Sequence, residues 1–212
     1  MKKYGHTCET FKRYTVFTAF TPNTIYEDGF AKLHESCKRL SIPLEYMEYP
    51  STGKWVKNTL QKPKLIYQFM KKTNKSYVFW VDSDAVFMKY PTLFDEIAEK
   101  RENSISTFSM GSRSRVCSGT VGFYNSLEVG YFISDWLSLC EHDKQPIGDQ
   151  KCLRELIKSG GTDRYMLKIN RLPYEYCYVF DGSLRLLQPE LPKLPKDRIV
   201  IQHKQYSRKV KK

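Results

Sequence analysis

The stretch Tyr77-Val78-Phe79-Trp80-Val81-Asp82-Ser83-Asp84 carries the clearest information on the fold of this chain. Its first five residues are apolar throughout, which is typical of a central strand in a sheet that is covered on both faces. Two carboxylates one residue apart follow at the open end of that strand. Such a pair is costly unless a positive group lies beside it, so the stretch predicts a site for magnesium or manganese with oxygen ligands. A surface turn in which this triplet occurs by chance is the alternative.

Strand patterns and helix patterns alternate on both sides of this stretch. The predicted strands are 14–20, 43–49, 77–81, 104–110, 119–124 and 198–202. The predicted helices are 26–40, one that opens at Pro63, 91–100, 127–140 and 149–158. The alternation predicts an α/β fold with a doubly wound, mainly parallel sheet flanked by helices, whose ligands collect at the carboxyl ends of the strands.

Composition and length predict a single folded unit over residues 1–212. The chain is 41% hydrophobic, and neither a repeat nor a linker divides it. The sequence has no apolar run of membrane-spanning length and no signal-peptide core, which predicts a cytoplasmic protein, including a viral or phage protein that acts in the host cytoplasm. The six cysteines lack a C-x-x-C pair and are expected to be free thiols.

The positive charge of the chain is unevenly distributed. The formal net charge is +12, and seven lysines without an acid lie between residues 49 and 81. A basic tail covers about 204–212. This distribution predicts an affinity for polyanions such as nucleic acid, an anionic membrane or substrate phosphates. A solvated basic surface that aids solubility is the alternative.

Four segments, in this order, resemble the nucleotide-diphospho-sugar glycosyltransferases of the GT-A fold. They are the D-x-D segment Asp82-Ser83-Asp84-Ala85-Val86-Phe87, the small-residue strand Cys117 to Asn125, the D-Q segment Gly148 to Leu153, and Ile201-Gln202-His203-Lys204 with its C-terminal His. The sequence departs from the family at Lys204-Gln205-Tyr206, where a Gly and a Lys usually follow the His. The region between Asp149 and His203 is also short for an elaborate acceptor subdomain.

The resemblance implies a metal-dependent hexosyl or pentosyl transfer from a nucleotide-diphosphate sugar, with a UDP-sugar as the expected donor. Asp84 and His203 would bind Mn²⁺ or Mg²⁺ directly, and Asp82 would bind the ion or orient the ribose. Lys204 and Arg185 would help to neutralise the departing nucleoside diphosphate.

The resemblance also implies roles around the sugar and the nucleotide. Asp149 would hydrogen-bond the donor sugar or deprotonate the acceptor, with a helix N-cap as the alternative, and Gln150 would stabilise the β face of the sugar. The remaining expected contacts are Gly119 and Thr120 in the floor of the pocket, Thr18, Phe20 and Tyr26 at the nucleobase and ribose, and Ser83 and Lys64 at the nucleotide. Phe20 and Tyr26 are equally well explained as core residues.

Two questions stay open at the level of sequence. The first is the class of protein, because a haloacid-dehalogenase-like phosphatase, a nucleotidyltransferase and a non-enzymatic nucleic-acid-binding module are alternatives. The second is the acceptor. A hydroxymethylated base in DNA, held through the lysine-rich segments 54–75 and 204–212, is preferred over a glycan or lipid-linked acceptor at an anionic membrane. No obligate protein partner is inferred.

Overall fold

In a computed structural model, the chain folds around a large mixed sheet and a small one. The structure describes residues 4–6, 12–110, 115–142, 148–179 and 191–206. The strands are β1 (Tyr4–His6), β2 (Tyr14–Phe20), β3 (Leu44–Glu48), β4 (Tyr77–Val81), β5 (Ala85–Phe87), β6 (Ser104–Met110), β7 (Arg115–Tyr124), β8 (Lys168–Arg171), β9 (Tyr178–Val179) and β10 (Ile201–His203). The helices are α1 (Ile25–Arg39), α2 (Trp55–Thr59), α3 (Lys62–Met70), α4 (Thr92–Lys100), α5 (Leu127–Glu141), α6 (Asp149–Lys158) and α7 (Gly161–Arg164).

The large sheet has the strand order β1-β3-β2-β4-β7-β6-β8. Strands β3, β2 and β4 are parallel to one another, and so are β6 and β8. Strand β7 is antiparallel to both of its neighbours, and β1 is antiparallel to β3. The predicted mainly parallel α/β sheet is thus confirmed, with β7 as its reversed inner strand.

The small sheet has the strand order β5-β10-β9 and was predicted only in part. A strand was expected at 198–202, but residues 196–198 form a 3₁₀ turn and the strand occupies Ile201–His203. Strand β10 pairs with β5 so that His203 lies opposite Ala85. Because β5 begins directly after Asp84, the small sheet brings a late part of the chain beside the D-x-D segment.

Helices cover both faces of the large sheet, as the apolar run of β4 predicts. On one face, Phe79 stacks on Phe94 of α4 with ring centroids 3.7 Å apart, and α1 packs beside them. On the other face, Phe17 stacks on Phe69 of α3 at 4.1 Å, and α5 and α6 complete the layer. The two cores fix the carboxyl end of β4 in position. None of the described helices is long and apolar enough to cross a membrane.

Candidate metal and donor site

Asp82, Asp84 and His203 lie together at the carboxyl end of β4. Each offers one ligand atom, and these atoms lie within 4.8 Å of one another. The D-x-D turn is closed by a hydrogen bond from the Ala85 amide to the Asp82 carbonyl, at 2.9 Å. The antiparallel β5–β10 pair then places His203 against this turn. The two sheets therefore bring together three residues from distant parts of the sequence, Asp82, Asp84 and His203, which we call the metal group.

The imidazole of His203 is held with one nitrogen engaged. Its Nε2 lies 2.9 Å from the Thr120 hydroxyl, which leaves Nδ1 as the nitrogen available to a metal ion. Burial lowers the pKa of His203 to about 4, so the ring is neutral at physiological pH and can act as a ligand. Gly119 provides the space for this arrangement, since a Cβ there would lie 3.2 Å from Nδ1 of His203 and 3.3 Å from Oδ2 of Asp82.

Asp84 is a buried carboxylate beside a second carboxylate. Burial, followed by the charge of Asp82, raises the pKa of Asp84 to about 6, although the Tyr206 amide donates to its Oδ2 at 2.8 Å. A bound cation would relieve this unfavourable charge. Two carboxylates and one neutral imidazole form a donor set that suits Mn²⁺ or Mg²⁺, which commonly bridge such ligands to substrate phosphates.

A lysine that the sequence analysis did not select lies at the centre of the site. The Nζ of Lys62 is 2.9 Å from Oδ1 of Asp82 and 2.8 Å from Oδ2 of Asp149, and it donates to the carbonyl and hydroxyl of Ser118 at 3.1 and 3.2 Å. Burial lowers the pKa of Lys62, but Asp149 and Asp82 raise it by more, so the net pKa lies above the usual value. Lys62 is therefore a buried permanent cation.

Asp82 uses its two oxygens for different purposes. Its Oδ1 accepts a hydrogen bond from Nε1 of Trp80 at 2.7 Å and also pairs with Lys62. Its Oδ2 is the oxygen that lies beside Gly119, on the side of His203. Oδ2 is thus the oxygen that can serve a cation held with Asp84.

Asp149 and Gln150 begin α6 and turn toward the same place. The N-cap residue is Gly148, with φ +90°, so the alternative that Asp149 caps the helix is wrong. Asp149 is the first helical residue, and its carbonyl accepts from Nε1 of Trp136 at 2.9 Å. Gln150 accepts from the Ser118 amide at 3.2 Å. Helix α6 therefore fixes an acid and an amide next to β7.

Most of these groups line a cavity of about 330 Å³, which is within the size range of small-molecule sites. His203 and the predicted floor residues Gly119 and Thr120 are not among its lining residues. The predicted residues that line it are Phe20, Tyr26, Asp82, Ser83, Asp84, Asp149 and Gln150. Tyr49 and Trp55 add further aromatic side chains to the lining, and Asn58, Thr59 and Gln205 add polar groups. The cavity thus combines three carboxylates with several aromatic side chains.

Several predicted contacts lie elsewhere. Thr18 is fully buried within β2, and Lys64 is exposed on α3, and neither lines the cavity. The Nζ of Lys204 donates to Gln202 at 2.6 Å, and its backbone amide donates to the Asp84 carbonyl at 3.0 Å. Lys204 therefore fixes the backbone of Asp84 and does not line the cavity. Arg185 lies outside the described residues.

The sequence matches no family model and no curated protein. The fold does match solved structures. A glycosyltransferase involved in the glycosylation of the major capsid of PBCV-1 aligns with a TM-score of 0.66 at 15% identity, over 93% of this chain and 96% of that one. The glycosyltransferase GlyE of Streptococcus pneumoniae TIGR4 aligns with a TM-score of 0.63 at 15% identity, over 92% of this chain and 54% of GlyE. The predicted glycosyltransferase-type fold is confirmed.

Proposed function

We propose that this chain is a metal-dependent glycosyltransferase, which moves a hexosyl or pentosyl group from a UDP-sugar to an acceptor hydroxyl. One observation carries the proposal. Asp82, Asp84 and His203 lie together, and the two carboxylates line a cavity that also contains aromatic side chains. The carboxylates suit a cation with a diphosphate, and the aromatic side chains suit a nucleobase. Solved glycosyltransferases with the same fold support this assignment.

The metal group would hold Mn²⁺ or Mg²⁺ through Oδ2 of Asp82, the carboxylate of Asp84 and Nδ1 of His203. When bound, the ion supplies Lewis acidity that offsets the charge growing on the leaving nucleoside diphosphate. Tyr26 and Trp55 would face the nucleobase and ribose, and Ser83 the nucleotide. Lys204 would stabilise the D-x-D turn through its hydrogen bond to the Asp84 carbonyl. Arg185 stays a proposed diphosphate contact. Thr18 and Lys64 have no direct contact in this proposal.

Asp149 is better suited to hold a sugar hydroxyl than to remove a proton. Its Oδ2 lies 2.8 Å from the Lys62 ammonium, and this ion pair fixes the carboxylate in place, as the orientation of a substrate hydroxyl requires. Gln150 lies beside it at the start of α6, where it would contact the sugar. Of the two roles predicted for Asp149, we therefore propose orientation of the donor sugar.

The donor proposal is tested by binding and hydrolysis of UDP- and GDP-sugars with manganese. Wild type should release nucleoside diphosphate only when the metal is present, and Asp84→Ala should lose this release. Glu99→Ala is the matched control, because Glu99 is an exposed acid on α4 away from the cavity. Wild-type protein that binds no sugar nucleotide with any divalent metal would overturn the proposal.

For the acceptor, we propose a hydroxymethylated base in DNA. The observation that favours it is the position of exposed lysines at the cavity. Lys54 and Lys57 are exposed on either side of Trp55, and Lys151 is exposed directly after Gln150. Phosphates held by these lysines would bring a flipped base to the cavity. Of the two basic segments predicted, 54–75 is described, whereas 207–212 lies outside the described residues.

Fluorescence anisotropy with a hydroxymethylated duplex at low salt tests the acceptor proposal. Lys54→Glu/Lys57→Glu should weaken binding by about tenfold or more, since each phosphate contact contributes a counterion-release term. The control is Lys89→Glu/Lys100→Glu, which reverses two exposed lysines away from the cavity. Absence of any duplex binding would overturn the DNA acceptor and favour a glycan or lipid-linked acceptor at an anionic membrane.

A further inference from the structure

The buried ammonium of Lys62 lies in the middle of an acidic site. Its side chain is 8% exposed, and its contacts are the carboxylates of Asp82 and Asp149 and two oxygens of Ser118. It also lies 5.4 Å from the centre of the Trp80 ring. Lys62 is the only lysine or arginine among the described residues that line the cavity.

The charges that line the cavity can be counted. Asp82, Asp84 and Asp149 contribute three negative charges when ionised and Lys62 contributes one positive charge, which leaves a net −2. His203, which lies beside Asp82 and Asp84, is neutral and adds no charge. Without Lys62 the net charge would be −3. One third of the negative charge that could attract a cation is therefore cancelled from within the protein.

We propose that Lys62 is an internal counter-ion that weakens the binding of a free divalent cation at Asp82, Asp84 and His203, so that tight binding requires the diphosphate of the donor. The proposal rests on the proposed function. Lys62 pairs with Oδ1 of Asp82 while Oδ2 lies on the side of His203, so one carboxylate separates the ammonium from the metal group.

Charges this close interact strongly where the groups are largely buried, as Lys62, Asp84 and Asp149 are. A free divalent ion is repelled by the ammonium at short range. A nucleoside diphosphate brings negative charges of its own, which attract both the metal ion and Lys62. The same lysine would therefore disfavour the metal alone and favour the metal together with the donor.

Substitutions at two positions change the local charge in steps. The affinity of each variant for Mn²⁺ alone is measured by EPR titration at about pH 8. Lys62→Met makes the local charge more negative, from −2 to −3. We therefore expect free Mn²⁺ to bind at least about tenfold more tightly. Asp149→Asn reduces it to −1 and should weaken binding by a similar factor. Lys62→Arg keeps the charge and should bind Mn²⁺ as wild type does.

The double variant Lys62→Met/Asp149→Asn removes the ion pair and restores a local charge of −2. It should bind free Mn²⁺ as wild type does if charge governs affinity, and it avoids leaving Asp149 buried without its cation. Circular dichroism confirms that each variant is folded. The titration is then repeated in the presence of UDP. UDP should increase the affinity for Mn²⁺ more in wild type than in Lys62→Met.

The outcomes separate this inference from the proposed function. If folded Lys62→Met and the double variant both bind Mn²⁺ more weakly than wild type, Lys62 only positions Asp82 and the counter-ion proposal is overturned. Equal affinity in all variants also overturns it, while the metal site of the proposed function stands. If wild type binds no Mn²⁺ with or without UDP, the proposed function itself fails.

Discussion

At the scale of single residues, the burial of Asp84 makes the metal-free protein sensitive to pH. Its pKa is raised to about 6, so between about pH 4 and 6 the folded state binds more protons than the unfolded state. Stability therefore falls as the pH rises through this window, by about 2–3 kcal/mol in total. Asp84→Asn removes the ionisation and keeps an oxygen that can accept from the Tyr206 amide.

We expect Asp84→Asn to be more stable than wild type at about pH 8 in the presence of a chelator, by about 2–3 kcal/mol. The difference should shrink toward zero at about pH 4, where the carboxyl group of wild type is protonated. Urea unfolding at the two pH values measures it. An equal difference at both pH values would show that a cause other than ionisation is at work.

Gly119 is a second residue whose exact size matters. A Cβ at this position would lie 3.0 Å from Cε1 of His203, so Gly119→Ala should displace the imidazole or the Asp82 carboxylate. We expect Mn²⁺ affinity to fall by about tenfold or more, as for other changes that misplace a ligand. Gly130→Ala is the control, because its Cβ would have 3.7 Å of space. It should leave Mn²⁺ binding intact and stabilise α5 by about 0.5–1 kcal/mol.

Lys62 and Lys64 illustrate what residue patterns reveal and what was overlooked. Lys64 was predicted to meet the nucleotide, yet it is exposed, whereas Lys62 is buried in the site. Helical spacing from the apolar residues Leu65, Ile66 and Phe69 leads back to Lys62, three, four and seven residues earlier. A lysine on a buried stripe needs carboxylate partners, and this signal was available in the sequence.

At the scale of elements, the small residues of β7 accommodate large rings on β4. Gly122 lies opposite Phe79, and a Cβ there would be 2.6 Å from the Phe79 ring and 2.8 Å from the Tyr77 ring. Gly122→Ala should therefore destabilise the protein by about 1–3 kcal/mol through overpacking. Urea unfolding of wild type, Gly122→Ala and the control Gly130→Ala measures the change in the free energy of unfolding. A loss below about 0.5 kcal/mol would mean that the rings shift at little cost.

Long elements with strong apolar patterns were predicted closely, but short ones and strand directions were not. Strands β2, β4 and β6 and helix α6 have their predicted bounds, because each has a continuous apolar or periodic pattern. Strands β5 and β9 were missed, since two or three residues carry no period. The reversed direction of β7 was also not predicted, because alternation of side chains is the same in either direction.

At the scale of the whole molecule, a bound cation would link the two sheets. Asp82 follows a strand of the large sheet, and His203 ends a strand of the small one. We expect Mn²⁺ with UDP to slow amide hydrogen exchange in β5 and β10, because ligand binding suppresses local opening. Strand β8, at the edge of the large sheet and three strands from β4, should change little. Equal slowing throughout the chain would indicate global stabilisation without a specific link between the sheets.

The fold and the proximity of Asp82, Asp84 and His203 were predictable from the sequence through the order of four short segments, although overall identity to the first of the solved glycosyltransferases is only 15%. Those segments lie where the chain must turn, pair or bind, so their residues are constrained by geometry. The shape of the cavity was less predictable, because Trp55 and Gln205 reach it from a short helix and a loop. Neither segment has a periodic pattern that would indicate which side chains face inward.

The contribution of His203 from the small sheet has a consequence for biosynthesis. In chain order, β10 comes after every strand of the large sheet, so the ribosome makes all seven before it makes the last ligand. A nascent chain therefore contains every strand of the large sheet before it contains all three residues of the candidate metal site. A truncated translation product that stops before Ile201 would carry Asp82 and Asp84 but not the imidazole of His203.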